Sequence, residues 1–409
     1  MTISTESVIE SRSSQDNKFQ VPATPKKTKK IDWVNAVFLT TTPLIALIGM
    51  PLHLYYRDLS WPILGIFAFY LLATGLSITG GYHRLFAHKS YEANRLVKTL
   101  FLLFGAAACQ NSAVKWASDH RDHHRYVDQT PDPYNIRRGF FYAHIGWIFL
   151  KGKEDDSYDN VRDLLKDSLV RWQHRFYVLL AISIGFVLPF VLGLFLGDGW
   201  GCFLWAGIVR VVIVHHSTFL INSLCHFMGK RPYSLKDSSR DSTLAALLTY
   251  GEGYHNFHHQ FQYDYRNGVR WYQWDPTKWM IKTLELIRLV KKLRRAPEET
   301  IFKARLQVQR EKMQERLAGL STEFRNTVEQ QLHSAQESLL SARSRWKQLR
   351  SEYNAVKVSM DAKRKELSAK LESELRSAKI HVKEAHASWN KLVQDFYRSL
   401  SNSSIDIAS

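Results

Sequence analysis

Cysteine is scarce in this chain: 409 residues contain three, Cys109, Cys202 and Cys225. They sit in or near apolar segments without zinc-ribbon or redox spacing, which excludes a disulfide scaffold and a cysteine-held iron–sulfur cluster and leaves them as small packing residues. No glycine-rich nucleotide fingerprint is present, so the chain brings no bound nucleotide of its own. No DNA-binding motif occurs either. The basic residues, 56 against 38 acidic for a net +18, are scattered or juxtamembrane and do not point to nucleic acid. Helix breakers run out towards the end: no proline follows Pro297 and no glycine follows Gly319. A secretory signal is also missing, because the first 30 residues are polar and end in "KKTKK".

What is present divides the chain into two architectures. The stretch "FYVLLAISIGFVLPFVLGLFL" (176–196) is uncharged for 21 residues, enough to cross a hydrocarbon layer of roughly 30 Å at about 1.5 Å per residue. Segments 33–54 and 61–82 are similar, and their Thr, Ser and Asn side chains can be satisfied within a helix. Segment 200–227 makes a fourth span. It carries Arg210, His215 and His216, which should therefore face protein rather than lipid. Basic residues beside the first span predict a cytoplasmic N-terminus; counting spans then puts both termini and residues 83 to about 175 on the cytoplasmic side. The helix-forming stretch 99–110 is too short to span and reads as re-entrant or interfacial.

Histidine is concentrated on that cytoplasmic side, in "HRLFAH" (83–88), "HRDHH" (120–124) and "GEGYHNFHH" (251–259). Positions i, i+3 and i+4 share a helix face, so His120, His123 and His124 are expected to aim at one point, and His255, His258 and His259 at another. His83 and His88 are five apart and converge only if their helix ends or bends between them. Asn222 and His226, in "NSLCH", lie one turn apart on the fourth span. Neutral imidazole suits iron, copper, zinc and nickel, and nine rings exceed what one ion accepts, so two ions are the natural count; spacing alone does not choose the metal. Ferritin-like di-iron bundles are a poor match, because the only Glu-x-x-His, Glu252 to His255, sits among glycines.

These boxes, in this order between these spans, closely resemble the membrane fatty acid desaturases of the stearoyl-CoA 9-desaturase type. The likeness covers roughly 33–295 and includes "QNSAVKWASDHRDHH", "DPYNIRRGFFYAHIGW" and "FQYDYRNGVRWYQWDPTKW". It implies a centre of two ferrous ions held by His83, His88, His120, His123, His124, His226, His255, His258 and His259, with Asn222 contacting one iron through water. The implied reaction introduces a double bond, at position 9, into a saturated acyl chain with one O2 and two electrons. Zinc has no redox activity and would not serve. No side-chain acid or base is required beyond the metal centre. Related membrane di-iron hydroxylases are the alternative enzyme class, and a non-enzymatic metal- or partner-binding scaffold the alternative outside enzymes.

An inert chain has no polar handle at its reacting carbons, so position must be measured by an apolar tunnel. By the resemblance, Trp116 and Thr218 match tunnel residues near its bend, and Gln110, Asn111 and Asp119 match residues near the head-group end. Ser118 and Phe219 replace an arginine and a tryptophan of the animal enzymes, which leaves CoA, a lipid or a carrier protein as the acyl carrier. No haem-binding cytochrome b5 domain is present, so a separate ferredoxin or cytochrome b5-like donor is implied, and the net positive charge would attract an acidic one.

The predicted organisation is a polar basic tail over 1–31, an all-α membrane domain over 32–295 with a histidine-rich cap, and a helical tail over 297–400. In that tail, apolar or small residues recur in 3,4 alternation from Met313 to Met360 and again from Leu367 to Phe396, the pattern of one long coiled-coil-forming helix or two. Such a stripe must pair. It either folds back through the polar interval 361–366 or joins two chains or another protein, and the lack of Gly or Pro in the interval favours self-association slightly.

Overall fold

The computed structural model describes residues 30–151, 157–317, 321–357 and 362–406. The basic tail before residue 30 and the first residue of the polar interval 361–366 lie outside the described residues. The chain divides into two compact units, Met1–Gly229 with Asp237–Arg295, and Lys230–Lys236 with Ala296–Ser409.

The first unit is helical, with four helices long and apolar enough to cross a membrane: Trp33–Tyr56, Trp61–Ala87, Tyr177–Phe195 and Gly199–Phe227. Their outward faces carry exposed aliphatic and aromatic side chains such as Val34, Leu47, Leu179 and Phe195, as a lipid contact requires. Asp32 caps the first of them, its carboxylate accepting from the Asn35 amide. Arg210, inside the fourth, is buried and gives its guanidinium to the carbonyls of Ala206 (2.9 Å), Gly185 (2.7 Å) and Ala107. His215 reaches the Ala108 carbonyl at 2.9 Å. Both side chains thus face protein, and the carbonyls they bind belong partly to the short helix Arg95–Ala107.

That short helix packs against the end of the second span and the third. Its close approach depends on Gly81, where a Cβ would lie 2.7 Å from the Phe101 Cβ. The second span itself does not stop at residue 82. From Ser77 to Ala87 it continues as a π-helix, carrying His83 and Arg84 beyond the expected end. An antiparallel pairing of Glu92–Ala93 with Val290–Lys291 ties the chain after this span to the end of the unit.

In the second unit the tail is three helices, Glu298–Leu317, Thr322–Lys357 and Ala362–Asp406, rather than one or two. Leu306, Met313 and Leu317 of the first pack with Val328, Leu332 and Leu339 of the second and Trp389 and Phe396 of the third. Further along, Leu349 meets Leu371 and Ala378. The second and third helices therefore run antiparallel and bury the heptad stripe within the chain. Of the two ways the stripe could be covered, the structure shows the fold-back: residues Thr322–Lys357 find a matching apolar face in Ala362–Asp406 within the same chain.

Candidate metal centre

The nine histidines of the three boxes and the fourth span come together in two buried clusters. His83, His88, His120, His124 and His258 form one; His123, His226, His255 and His259 form the other; within each, the ring nitrogens lie within 4.8 Å of one another. This arrangement corrects the expectation that each HxxHH triplet aims at one point. On helix Ala113–Tyr126, His120 and His124 enter the five-ring cluster while His123 enters the four-ring cluster. On helix His255–Gln260 the split is reversed: His255 and His259 enter the four-ring cluster and His258 the five-ring one. The cause is helical rotation of about 100° per residue, which separates position i+3 from position i+4 by that angle and lets each helix straddle two sites.

His83 and His88 also converge, but their helix neither ends nor bends between them. The π-winding makes residues five apart neighbours. The His88 amide donates to the His83 carbonyl at 3.1 Å, and the two rings sit 4.8 Å apart.

The donor set fits a metal. Nε2 atoms face one another at 2.7 Å (His88, His120) and 3.0 Å (His83, His258; His258, His124; His255, His259). Spacings near ~3 Å are what neighbouring nitrogens have when each is about 2.1 Å from a shared ion. In the four-ring cluster, His123 and His226 have Nδ1 held by Asp132 (2.9 Å) and by Ser238 Oγ (2.8 Å), while their buried Nε2 atoms have no hydrogen-bond partner among the described residues. A bound cation would satisfy them. Burial first, then the neighbouring imidazoles, holds His88, His120, His124, His255, His258 and His259 well below the usual histidine range, so the rings stay neutral and able to ligate.

Behind the rings stands a set of residues that the motifs did not single out. Glu252 Oε2 lies 3.0 Å from His83 Nδ1, and its Oε1 accepts from Arg84 Nη2 at 2.8 Å and Nε at 3.2 Å. Burial alone would raise this carboxyl, but Arg84 and His83 outweigh it and bring it down to about 2. Arg84 also donates to both oxygens of Asp275. Asp128 accepts from Ser238 Oγ at 2.6 Å, completing a relay to His226. The one legible signal was Glu252, seen in the third box but set aside as a ligand; Asp132 and Asp128 have no spacing that ties them to histidine.

A cavity of about 1010 Å³ opens onto the five-ring cluster, with His83, His120 and Glu252 in its wall. The five residues expected to meet substrate, Gln110, Asn111, Trp116, Asp119 and Thr218, all line it, and so does Asn222. Gln110 and Thr218, assigned by the resemblance to opposite parts of a tunnel, are in contact: the Gln110 amide donates to Thr218 Oγ1 at 2.8 Å. Asp119 pairs with Lys115 at 2.8 Å. His144 and His216, outside the boxes, hydrogen-bond each other at 3.0 Å, and His144 bonds Ser223 at the same distance, so they serve packing rather than the clusters.

Residues 59–286 match the fatty acid desaturase family model. The chain belongs to the fatty acid desaturase family. It is 39% identical over 298 residues to acyl-CoA desaturase 1 of Saccharomyces cerevisiae, covering 71% of this chain and 57% of that protein. With a probable acyl-CoA desaturase of Schizosaccharomyces pombe the identity is also 39%, over 290 residues, 70% of this chain and 60% of the relative. An sn-1 stearoyl-lipid 9-desaturase of Synechocystis sp. is 34% identical over 268 residues, 65% of this chain and 81% of that protein. The match thus covers less than two thirds of the two yeast relatives. Family membership and the two histidine clusters together make this a membrane desaturase-family protein with a metal centre.

Proposed function

We propose that the chain is an O2-dependent fatty acyl desaturase in which the five-ring and four-ring clusters would each hold one iron, with Asn222 in the cavity wall as a further polar residue beside them. The observation that carries this reading is the pairing of two buried imidazole clusters with a large cavity that reaches the five-ring one beside Trp116. When bound, the iron pair supplies the oxygen-activating redox chemistry that removes hydrogen from an unactivated methylene pair. Two hydrogens from the chain, together with two electrons and two protons from outside, reduce O2 to two waters.

The protein's own residues prepare this. Glu252 stands 3.0 Å from Nδ1 of His83 and Asp132 accepts from Nδ1 of His123 at 2.9 Å, which turns Nε2 of each ring towards the cluster as the ligating atom. Trp116, Thr218 and Gln110 shape the cavity beside His120 and align the chain, a matter of position rather than of polar recognition. Burial of the rings keeps bulk water from the reacting carbons.

Under this reading the substrate is a saturated chain of 16 or 18 carbons, as CoA thioester or lipid ester, and the double bond enters at position 9. A separate ferredoxin or cytochrome b5-like protein supplies electrons, drawn by the net charge of +18 to the cytoplasmic face, where both termini also lie. Fatty acid profiling of cells expressing the chain with a living donor tests the reading. A new 9-monoene that disappears in His258→Ala supports it; a hydroxy acid, or an unchanged profile, overturns it.

A further inference from the structure

We propose that the two metal positions are electrically unequal, and that Asp132 and the Ser238–Asp128 relay make the four-ring cluster the one whose iron turns ferric first. The inference rests on the two-iron reading above. It begins from the chemistry of ligation: an imidazole binds a metal as the neutral ring, so nine histidine ligands themselves bring no charge difference. The difference lies behind them.

At the four-ring cluster, His123 Nδ1 meets Asp132 Oδ1 at 2.9 Å, with both side chains buried. The other contacts of Asp132 are the backbone amides of Asp128 and Tyr134, at 3.2 Å each. His226 Nδ1 meets Ser238 Oγ at 2.8 Å, and that hydroxyl donates onward to Asp128 Oδ1 at 2.6 Å. Asp128 also accepts from the Ser238 amide at 2.7 Å. Two carboxylates thus stand behind this cluster with amides and a hydroxyl as partners. Arg240 is the cation on that side: its charge is felt at His226 while Nη1 donates to the Gly229 carbonyl, and a third carboxylate, Asp237, lies 3.8 Å from His259 Nδ1.

At the five-ring cluster the carboxylate is Glu252, 3.0 Å from His83 Nδ1, and it is matched at once by Arg84, which makes two hydrogen bonds to it. The same guanidinium binds Asp275, beside which lies Lys278, its amide 2.8 Å from Asp275 Oδ1 and its ammonium on the carbonyls of Gly268 and Arg270. Arg121 stands near His88, paired with Asp163. Anion and cation here come in pairs.

An anionic acceptor on Nδ1–H makes the imidazole a stronger donor. A buried negative charge also favours added positive charge nearby, because screening by water is weak there. Both effects act most at the four-ring cluster. Oxidation of its iron, one electron passing to an external acceptor, is therefore easier than at the five-ring cluster.

The test uses the full-length protein purified with 57Fe in detergent, its iron counted by mass spectrometry. Ferricyanide takes electrons one at a time at poised potentials without O2, and Mössbauer spectra report each iron. The expected result is two separate ferric transitions. Asp132→Asn should bring them together by at least about tenfold in relative ferric occupancy, which is about 59 mV for one electron. Ser238→Ala should act in the same direction, and it keeps the test open if Asp132→Asn fails to hold iron. Glu252→Gln should drive the transitions apart. Opposite signs at Asp132 and Glu252 are something a general loosening of the site would not produce. A single transition in the native protein, or shifts of one sign in all three variants, overturns the proposal while the two-iron reading stands. Binding of fewer than two irons per chain overturns both.

Discussion

The indole of Trp116 lies against the imidazole of His120, ring centroids 4.9 Å apart and planes 21° from parallel. One face of the cavity wall is thereby joined to the five-ring cluster, so whatever slides along Trp116 is held at a fixed distance from the metal position. For an acyl chain, whose methylenes are chemically alike, such a fixed wall is what selects the reacting pair. Trp116→Ala should remove it. Gas chromatography with mass spectrometry of derivatised products should then show several double-bond positions and about 10²-fold lower turnover, with iron content unchanged. A single product at the native position and native rate would mean the wall lies elsewhere.

Loss of one ring should be felt by one cluster. His124 and His258 both belong to the five-ring set, and His258 Nε2 lies 3.0 Å from those of both His83 and His124. Alanine at either position should lower bound iron from two per chain towards one and abolish desaturation. Elemental analysis of the purified variants decides it, and two irons with full turnover in both would remove these residues from the ligand set.

The histidine content, the four spans and the family were legible because each depends on residue type at short spacing. How the rings are shared between clusters was not, because a face shared by i, i+3 and i+4 is a coarse description once two targets lie side by side. The convergence of His83 and His88 was hidden for a different reason: a π-helix leaves no composition signal, and here it is supported by packing of Arg95–Ala107 against Gly81. Asp132 reaches His123, and Asp128 reaches His226 by way of Ser238, through loop conformation and tertiary contact, so no motif carries them. In the tail, the 3,4 pattern states that a partner helix is needed but is silent on whose.

The neutral rings make the metal-free protein sensitive to acid. His88, His120, His124, His255, His258 and His259 have their proton affinity lowered, by burial first and by neighbouring imidazoles next, whereas in the unfolded chain they take protons below about pH 6.5. Below that value the unfolded state binds more protons than the folded one, so stability falls as pH drops; above it these rings add no pH dependence. Thermal melts of metal-free protein in detergent should show a flat midpoint from about pH 7 upward and a decline from about pH 6.5 towards 5. A midpoint that stays level or rises on acidification would mean the rings are not buried neutral.

The tail should be separable in size as well as in function. Leu339 is fully buried in the same apolar cluster as Trp389, whose indole N–H donates to Gln309 at 3.0 Å, so one layer ties together all three tail helices. Leu339→Ala should cost this unit about 2–5 kcal/mol and raise hydrogen exchange along Thr322–Lys357 and Ala362–Asp406, leaving bound iron at its native level, since none of the nine histidines lies beyond His259. Because the stripe is covered within one chain, removing residues after 295 should leave the oligomeric state in detergent the same as that of the full chain, with iron and desaturation retained. Light scattering of the two proteins side by side checks this. A full chain that associates while the truncated one does not would show that the tail pairs between molecules as well as within one, and loss of iron on truncation would tie the tail to the metal centre.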